Sequence, residues 1–351
     1  MKTNTLIVGG GLTGLSLAWR LQQAGHDYQL LEARSRLGGR IKSLQVGGAA
    51  FDLGPSWIWP GQARVAELLS DLGLRTFAQW DAGAQLYEHP DGKVIQNRGF
   101  MSMAGSYRIA GGTSALTEAL TARLDPDRLH IGAPVSRLSD KPRGATTASG
   151  FIEANNIVLA LPPRIAAGIT FEAALPANAV SSLQSVPTWM AAHAKFVAVY
   201  PTPFWRAEGL SGDASSRRGP MVEIHDASPD DGGLGALFGF IGVPAAARAN
   251  AADAVAQAAM DQLVNLFGAQ AANPIATKLE DWSQAPFTAT DADMIAPQGH
   301  PPYGMPAALK TLWNGNLIIT SSELSKDSGG LIEGALAASE VAAVRILATG
   351  P

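Results

Sequence analysis

Gly9, Gly11 and Gly14 stand at GxGxxG spacing directly after the apolar run Leu6-Ile7-Val8, and Glu32 closes the next apolar run, Tyr28 to Leu31. These residue types in this order suit a dinucleotide. Gly9 provides a tight turn, Gly11 lets backbone approach a pyrophosphate, and Gly14 lets a helix pack closely on a strand. The helix that opens at Leu12 and Thr13 presents free N–H groups and the positive end of its dipole to phosphates. Glu32 can accept hydrogen bonds from ribose hydroxyls. A glycine-rich turn that merely packs helix on strand would leave Glu32 unexplained. Further along, Glu223 and His225 alternate on a short strand-like run and so share a face. Such a pair binds an amine or acts as a base, or is simply a polar pair on a solvated strand. His26, at the turn before the second strand, reads as structural, and no metal-ligand spacing is present.

The elements that must position these residues are legible from periodicity. A strand, the glycine turn and a helix to Leu21 open the chain, and the run 41–51 around Gly47-Gly48 reads as a hairpin. Residues 63–72 have helical spacing, with Gly73 as C-cap. A hairpin is expected around Asp91-Gly92 and a helix over 114–124, followed by a short strand at 129–131 and another opening at Pro134-Val135. The run 157–161 is of buried-strand type, ended by Pro162-Pro163. Strands at 194–200, 234–241 and 317–320 and helices at 251–267 and 331–347 complete the pattern.

The 351 residues suffice for two domains, and 46% hydrophobic and 16% charged residues suit a globular protein with a sizeable core. A net charge of −4 offers no basic surface for nucleic acid. The absence of cysteine rules out disulfides, thiolate catalysis, cysteine–zinc sites and a thioether-linked cofactor, and it fits the cytoplasm. The apolar stretch after Met1-Lys2 reads as the first strand rather than a signal peptide, and no apolar run is long enough for a membrane span.

From Glu32 to Arg40 the chain resembles the flavin-containing amine oxidases, the family of the monoamine and polyamine oxidases. Glu32-Ala33-Arg34 followed by Gly38-Gly39-Arg40 is that family's extension of the dinucleotide motif. In it the two glycines let backbone approach the cofactor, and Arg34 and Arg40 place positive charge near its diphosphate. Asp52-Leu53-Gly54-Pro55-Ser56-Trp57 matches the loop beside the flavin ring, with Pro55 where a second glycine is usual. Gly111-Gly112, Val135 (a backbone contact to adenine), the strand ending Ala160-Leu161-Pro162-Pro163 and Phe204-Trp205 match in order. Ser322-Glu323 and Gly330-Leu331-Ile332 match the C-terminal FAD motif, where the closing helix points its N-terminus at the flavin. The resemblance implies that Lys195 holds a water near flavin N5 and that Trp282 faces the flavin.

Three departures bear on substrate. The family's two aromatic cage positions are Ala292 and Leu331 here, so cation–π help from them is missing. Ser321 replaces the glycine of the Gly-Thr-Glu motif. The stretch from Trp59 to Ala110 is much shorter than the family's helical cap, which implies a more open pocket or one closed by another subunit. Full-length mitochondrial relatives carry a C-terminal membrane anchor, and the chain is expected to lack one, ending at Pro351.

The resulting expectation is an α/β flavoprotein. A discontinuous Rossmann-like FAD-binding domain (residues 1–72, 106–166 and 287–351) carries a second α+β substrate domain with a mixed sheet (73–105 and 167–286). FAD would be held non-covalently. The reaction would oxidise the C–N bond of an amine or amino-acid-derived substrate to an imine, with oxygen or another acceptor taking the electrons, and with an oligomer open. Two other readings share the scaffold: C–C desaturation of a hydrophobic substrate, favoured by the lost cage and opposed by Lys195, and a non-catalytic flavin-binding protein.

Overall fold

Five parallel strands form one side of the first sheet, and where they cross its core their residues are apolar and buried on both faces. In spatial order they are Leu129–His130, Tyr28–Leu31, Lys2–Val8, the second half of Gly150–Leu159, and Leu317–Ile319. Ile7 lies between Leu30 and Val158, and Val158 between Ile7 and Ile318, all with almost no exposure. A run that is apolar at every position suits a parallel sheet covered on both sides. Ile7, Leu30 and Val158 pack under the helices Leu12–Gln23, Ser114–Arg123 and Ile332–Ala348, while Leu6, Val8 and Leu159 join Leu138, Ala145 and Leu183 on the other face. The computed structural model describes residues 1–99 and 101–348; the expected boundary at 351 falls outside the described residues.

Two expected elements differ in extent. The buried strand begins at Gly150 rather than 157, and its first half pairs antiparallel with Arg143–Thr147, which pairs in turn with Arg137–Asp140. The strand expected to open at Pro134 starts only at Arg137. These strands are short and carry polar or glycine residues among the apolar ones, which leaves no continuous apolar run to read. The crossing to the second sheet, expected near residue 167, comes later. Thr170–Phe171 still pairs with Arg137–Asp140, and Leu183 of helix Ala177–Ser185 packs into the first sheet's core.

The second sheet has seven strands in the order Ala276–Asp281, Ala194–Tyr200, Gly235–Ile241, Met221–Asp226, Leu210–Ser216, Ala84–Glu88, Val94–Gln96. It is mixed, because Leu210–Ser216 runs parallel to Ala84–Glu88 and the other pairs are antiparallel. Alternation divides its faces. Phe196, Ala198 and Tyr200 pack under helix Ala252–Phe267 through Val255, Ala259, Leu263 and Leu266. Val197, Val199 and Phe238 face Phe51 and Leu53 of the first unit. The expected α/β architecture with a second mixed sheet is the one the chain adopts. Between residues 59 and 110 stand one helix, Ala63–Leu72, ended by left-handed Gly73, and short strands. Among the described residues no helix is long and apolar enough to cross a membrane.

Candidate functional site

One continuous cavity runs from the glycine turn, between the two sheets, to Lys195. At the turn, Gly11 caps helix Leu12–Gln23 without any side-chain hydrogen bond. The first N–H groups of that helix therefore have no partner within it. Gly14 is obligatory: a Cβ there would stand 1.9 Å from the carbonyl oxygen of Gly9. Gly9 itself has φ +114°. Glu32 is buried and organises the turn from the neighbouring strand. Its Oε2 accepts from Gly10 N at 2.7 Å and its Oε1 from Arg34 N at 2.8 Å, which leaves further lone pairs for a ligand. Gly39, at φ +61°, approaches so closely that a Cβ would lie 2.9 Å from Gly11 Cα.

The two arginines are not free cations. Arg34 donates to Thr288 Oγ1 at 2.6 Å, to Pro286 O, and lies near Glu32. Arg40 makes a bidentate pair with the fully buried Glu323, with Nη2 to Oε2 at 3.0 Å, and also reaches Ser322 Oγ at 3.1 Å. Burial opposes ionisation of Glu323, but Arg40 outweighs it and holds the carboxyl below its ordinary value.

At the other end, Lys195 is the second residue of strand Ala194–Tyr200 and is 2% exposed. Its Nζ donates to Ser56 Oγ at 2.6 Å and to Gly54 O at 3.2 Å, and it lies 3.7 Å from the centre of the Phe238 ring. Burial lowers its pKa from 10.5 to about 7; nearby Asp52 opposes this and Arg108 adds to it. Trp282 is buried, and its indole N–H donates to Leu53 O at 3.0 Å, which fixes the ring against the 52–57 loop.

The cavity brings together Gly9, Gly11, Leu12, Thr13, Glu32, Arg34, Gly38, Gly39, Arg40, Gly54, Pro55, Ser56, Trp57, Lys195, Trp282, Ser322, Gly330, Leu331 and Ile332. Gly14, Ala33, Val135 and Glu323 stand outside its wall: Gly14 and Glu323 act from behind it, and Val135 packs on the core beneath the first sheet. Trp59, Gln62, Trp189, His193 and Phe240 also line the cavity and were not anticipated. Phe240 had a signal, since it alternates with Phe238 and pairs with Lys195 in register. The others lie in irregular segments without periodicity. Met190 and Phe287, both on the wall, hold left-handed backbone (φ 58° and 62°), a conformation that costs a non-glycine residue about 1 kcal/mol or more.

Two expectations about the substrate end change. Ala292 is not on the wall; its carbonyl accepts from Arg164 Nη1 at 2.9 Å. The missing-cage argument therefore holds only at Leu331, while aromatic rings come from Trp57, Trp59 and Phe240 instead. Glu223 and His225 do share a face, with His225 Nε2 3.2 Å from Glu223 Oε1, but it is not a solvated one. His225 is 2% exposed, its Nδ1 is 2.8 Å from Asp213 Oδ1, and Trp57 lies edge-on to it at 5.0 Å. Burial works against the imidazolium, but the hydrogen bond to Asp213 and the nearby Glu223 carboxylate raise its pKa overall. Trp57 and Phe240 separate this cluster from the cavity. Among the described residues no group of three or more histidine or acidic side chains could hold a metal.

The comparisons with known proteins agree with this geometry. The family described as "Flavin containing amine oxidoreductase" matches residues 12–96 and 88–347, two pieces that meet inside the shortened 59–110 segment. Putrescine oxidase of Kocuria rosea is 23% identical over 82% of this chain and 84% of its own. That alignment spans 410 positions against 351 residues here, so it bridges stretches that the relative has and this chain lacks. The "Probable flavin-containing monoamine oxidase A" of Dictyostelium discoideum is 24% identical over 69% of this chain and 75% of its own. The structure of cyclohexylamine oxidase from Brevibacterium oxydans shares the fold at TM-score 0.82 and 22% identity, covering 99% of both chains. The family match runs from the helix after the glycine turn to the end of the closing helix, and the chain belongs to the flavin-containing amine oxidoreductases, enzymes that oxidise amines with FAD.

Proposed function

We propose that this chain binds FAD non-covalently along the cavity and oxidises the C–N bond of an amine or amino-acid-derived substrate to an imine that then hydrolyses. The residues fit the cofactor. The uncapped N-terminus of helix Leu12–Gln23, the open face of Gly11 and the spare lone pairs of Glu32 suit a diphosphate and a ribose. No cysteine is present to form a thioether link. Arg34, Gly38, Gly39, Arg40 and Ser322 would complete the diphosphate end. Gly54, Ser56, Trp57, Trp282, Gly330, Leu331 and Ile332 would flank the ring, with the start of the closing helix favouring negative charge. When bound, the flavin accepts two electrons from the substrate carbon–nitrogen bond. The protein's share is to exclude water, orient the amine and place a nitrogen base. Lys195, held by Ser56 and Gly54 with a pKa near neutrality, can hold a water and exchange a proton with it.

The buried Lys195 at the far end of a dinucleotide-shaped cavity carries this reading. C–C desaturation would need no such group, and the family match runs against it. We place the enzyme in the cytoplasm, with oxygen as the electron acceptor.

The test is the visible spectrum of the purified protein mixed with amines in the absence of oxygen. A yellow protein bleached by an amine, and recoloured by air with release of hydrogen peroxide, is expected. A yellow protein that no amine bleaches would refute amine oxidation, and a protein unable to take up FAD would refute the site. Gly14→Ala checks the cofactor end separately. Its Cβ must displace the Gly9 carbonyl, so the purified variant should retain less than about a tenth of the wild-type FAD, an effect of roughly 1.4 kcal/mol or more, measured by absorbance against protein concentration.

A further inference from the structure

Among the described residues no carboxylate lines the substrate end of the cavity. Glu32 is the one acidic residue among the described residues of the wall, and it sits at the dinucleotide end, engaged with Gly10 and Arg34. Glu323 is paired with Arg40, and Asp52 stands behind the wall, where its Oδ1 accepts from the backbone N–H and hydroxyl of Thr113 and its Oδ2 has no hydrogen-bond partner. Asp213 and Glu223 flank His225 behind Trp57, and Glu223 also accepts from Ser102. The ionisable groups that remain at this end are His193 and Lys195, and neither carries a negative charge to pair with an ammonium. The rest of the wall there includes Trp57, Trp59, Phe240 and Leu331, with Gln62 as a neutral polar group. Trp59 and Leu331 are 39% and 38% exposed, so the mouth has an apolar rim that reaches solvent.

We infer that the enzyme is specific for monoamines carrying a bulky apolar group, and that it rejects diamines because the cavity has no carboxylate free to meet a second ammonium. This rests on the amine-oxidising reading above and deepens it. The apolar body lies against the tryptophans and Leu331, where its burial supplies binding energy in proportion to area. A second ammonium in the same place loses its water and finds no counter-charge, a penalty far larger than one hydrogen bond. Aromatic faces offset this only partly, since cation–π attraction is small beside the cost of burying an unpaired charge. The difference is notable because a putrescine oxidase shares this chain's fold and family. Those likenesses run along most of the chain, whereas the discrimination depends on a handful of wall positions.

The experiment is anaerobic stopped-flow reduction of the FAD-loaded protein with cyclohexylamine and with putrescine as probes, compared as second-order reduction rate constants. Cyclohexylamine is expected to exceed putrescine by about a hundredfold or more. Gln62→Glu supplies the missing charge at nearly constant shape. Gln62 Oε1 already accepts from Trp59 N, a bond that a glutamate oxygen retains. The putrescine-to-cyclohexylamine ratio should rise about tenfold in this variant. Putrescine reducing the wild-type protein as fast as cyclohexylamine would overturn the specificity and leave amine oxidation standing. An unchanged ratio in Gln62→Glu would overturn the charge argument. Bleaching by neither amine, nor by any other, would remove the amine-oxidising reading and this inference together. The wild-type ratio decides the matter even if the variant does not fold.

Discussion

Lys195→Met will slow flavin reduction by about 10²–10³-fold and, at pH 6, will make the apoprotein more stable than wild type. Both effects come from one buried ammonium. In the folded chain Lys195 sits among Phe238, Phe240 and the 54–56 loop, where burial lowers its pKa from 10.5 to about 7. In the unfolded chain it keeps its proton to about 10.4. Between those values the unfolded state binds more protons, so stability rises with pH across the window. Below pH 7 both states carry the charge and the folded state bears the whole cost, roughly 5 kcal/mol by the size of the shift. Methionine fills the same apolar space without that cost. It loses the hydrogen bonds to Ser56 Oγ and Gly54 O, which offsets about 1–3 kcal/mol. The variant should therefore be the more stable protein in urea at pH 6 and the less stable one near pH 10. Its single-turnover reduction rate at saturating amine should also lack the inflection near pH 7 that is expected of the wild type. A variant that reduces its flavin at the wild-type rate would remove Lys195 from the chemistry. A stability difference that does not vary with pH between about 6 and about 10 would mean that the lysine keeps its ordinary pKa in the folded chain.

Legibility in the sequence followed the local character of each feature. The glycine turn, Glu32 and the 157–161 run could be read because close approach and two-sided burial restrict residue type at fixed spacing. Lys195 and Trp282 were legible only through resemblance, since a lysine at a strand start carries no local sign of burial. What could not be read depends on which distant segments meet. That Arg40 spends its guanidinium on Glu323, and that Ala292 turns away from the cavity towards Arg164, follow from tertiary packing. Alternation correctly placed Glu223 and His225 on one face, but it cannot say what covers a face. Trp57 and Asp213, which turn that pair into a buried cluster, come from other elements. Trp59, Trp189 and His193 reach the cavity from irregular segments. The substrate wall was thus the least legible part, since it is assembled from the loops that vary in length and conformation between relatives on a shared scaffold.

Arg40→Met should destabilise the protein by about 3–5 kcal/mol at pH 7 and release its FAD. Glu323 is fully buried and is left with only Ser322 Oγ and the Trp189 N–H when the guanidinium is removed. A buried carboxylate without its counter-charge costs far more than the lost hydrogen bonds alone. The pair also ties three segments together: the Gly38–Arg40 turn, the 189 loop and the stretch just before the closing helix. Loosening it moves both ends of the cavity wall. The pH dependence gives the diagnosis. In wild type the carboxyl is held below its ordinary value by Arg40 against the opposing effect of burial, so the pair stabilises above about pH 4.5, and that contribution is lost as pH falls through the depressed value. Without Arg40, burial dominates and the carboxyl takes up a proton more readily than in the unfolded chain. The deficit relative to wild type should then shrink as pH falls from 7 towards 5. Adding Glu323→Gln to Arg40→Met removes the stranded charge and should recover a large part of the loss at pH 7, whereas Glu323→Gln alone leaves Arg40 without its partner and is itself destabilising. Urea unfolding of the four proteins at pH 5 and 7 reads this cycle. Losses that add, with the double variant no better than Arg40→Met alone, would show that the two side chains act independently and that the clamp across the cavity is held by other contacts.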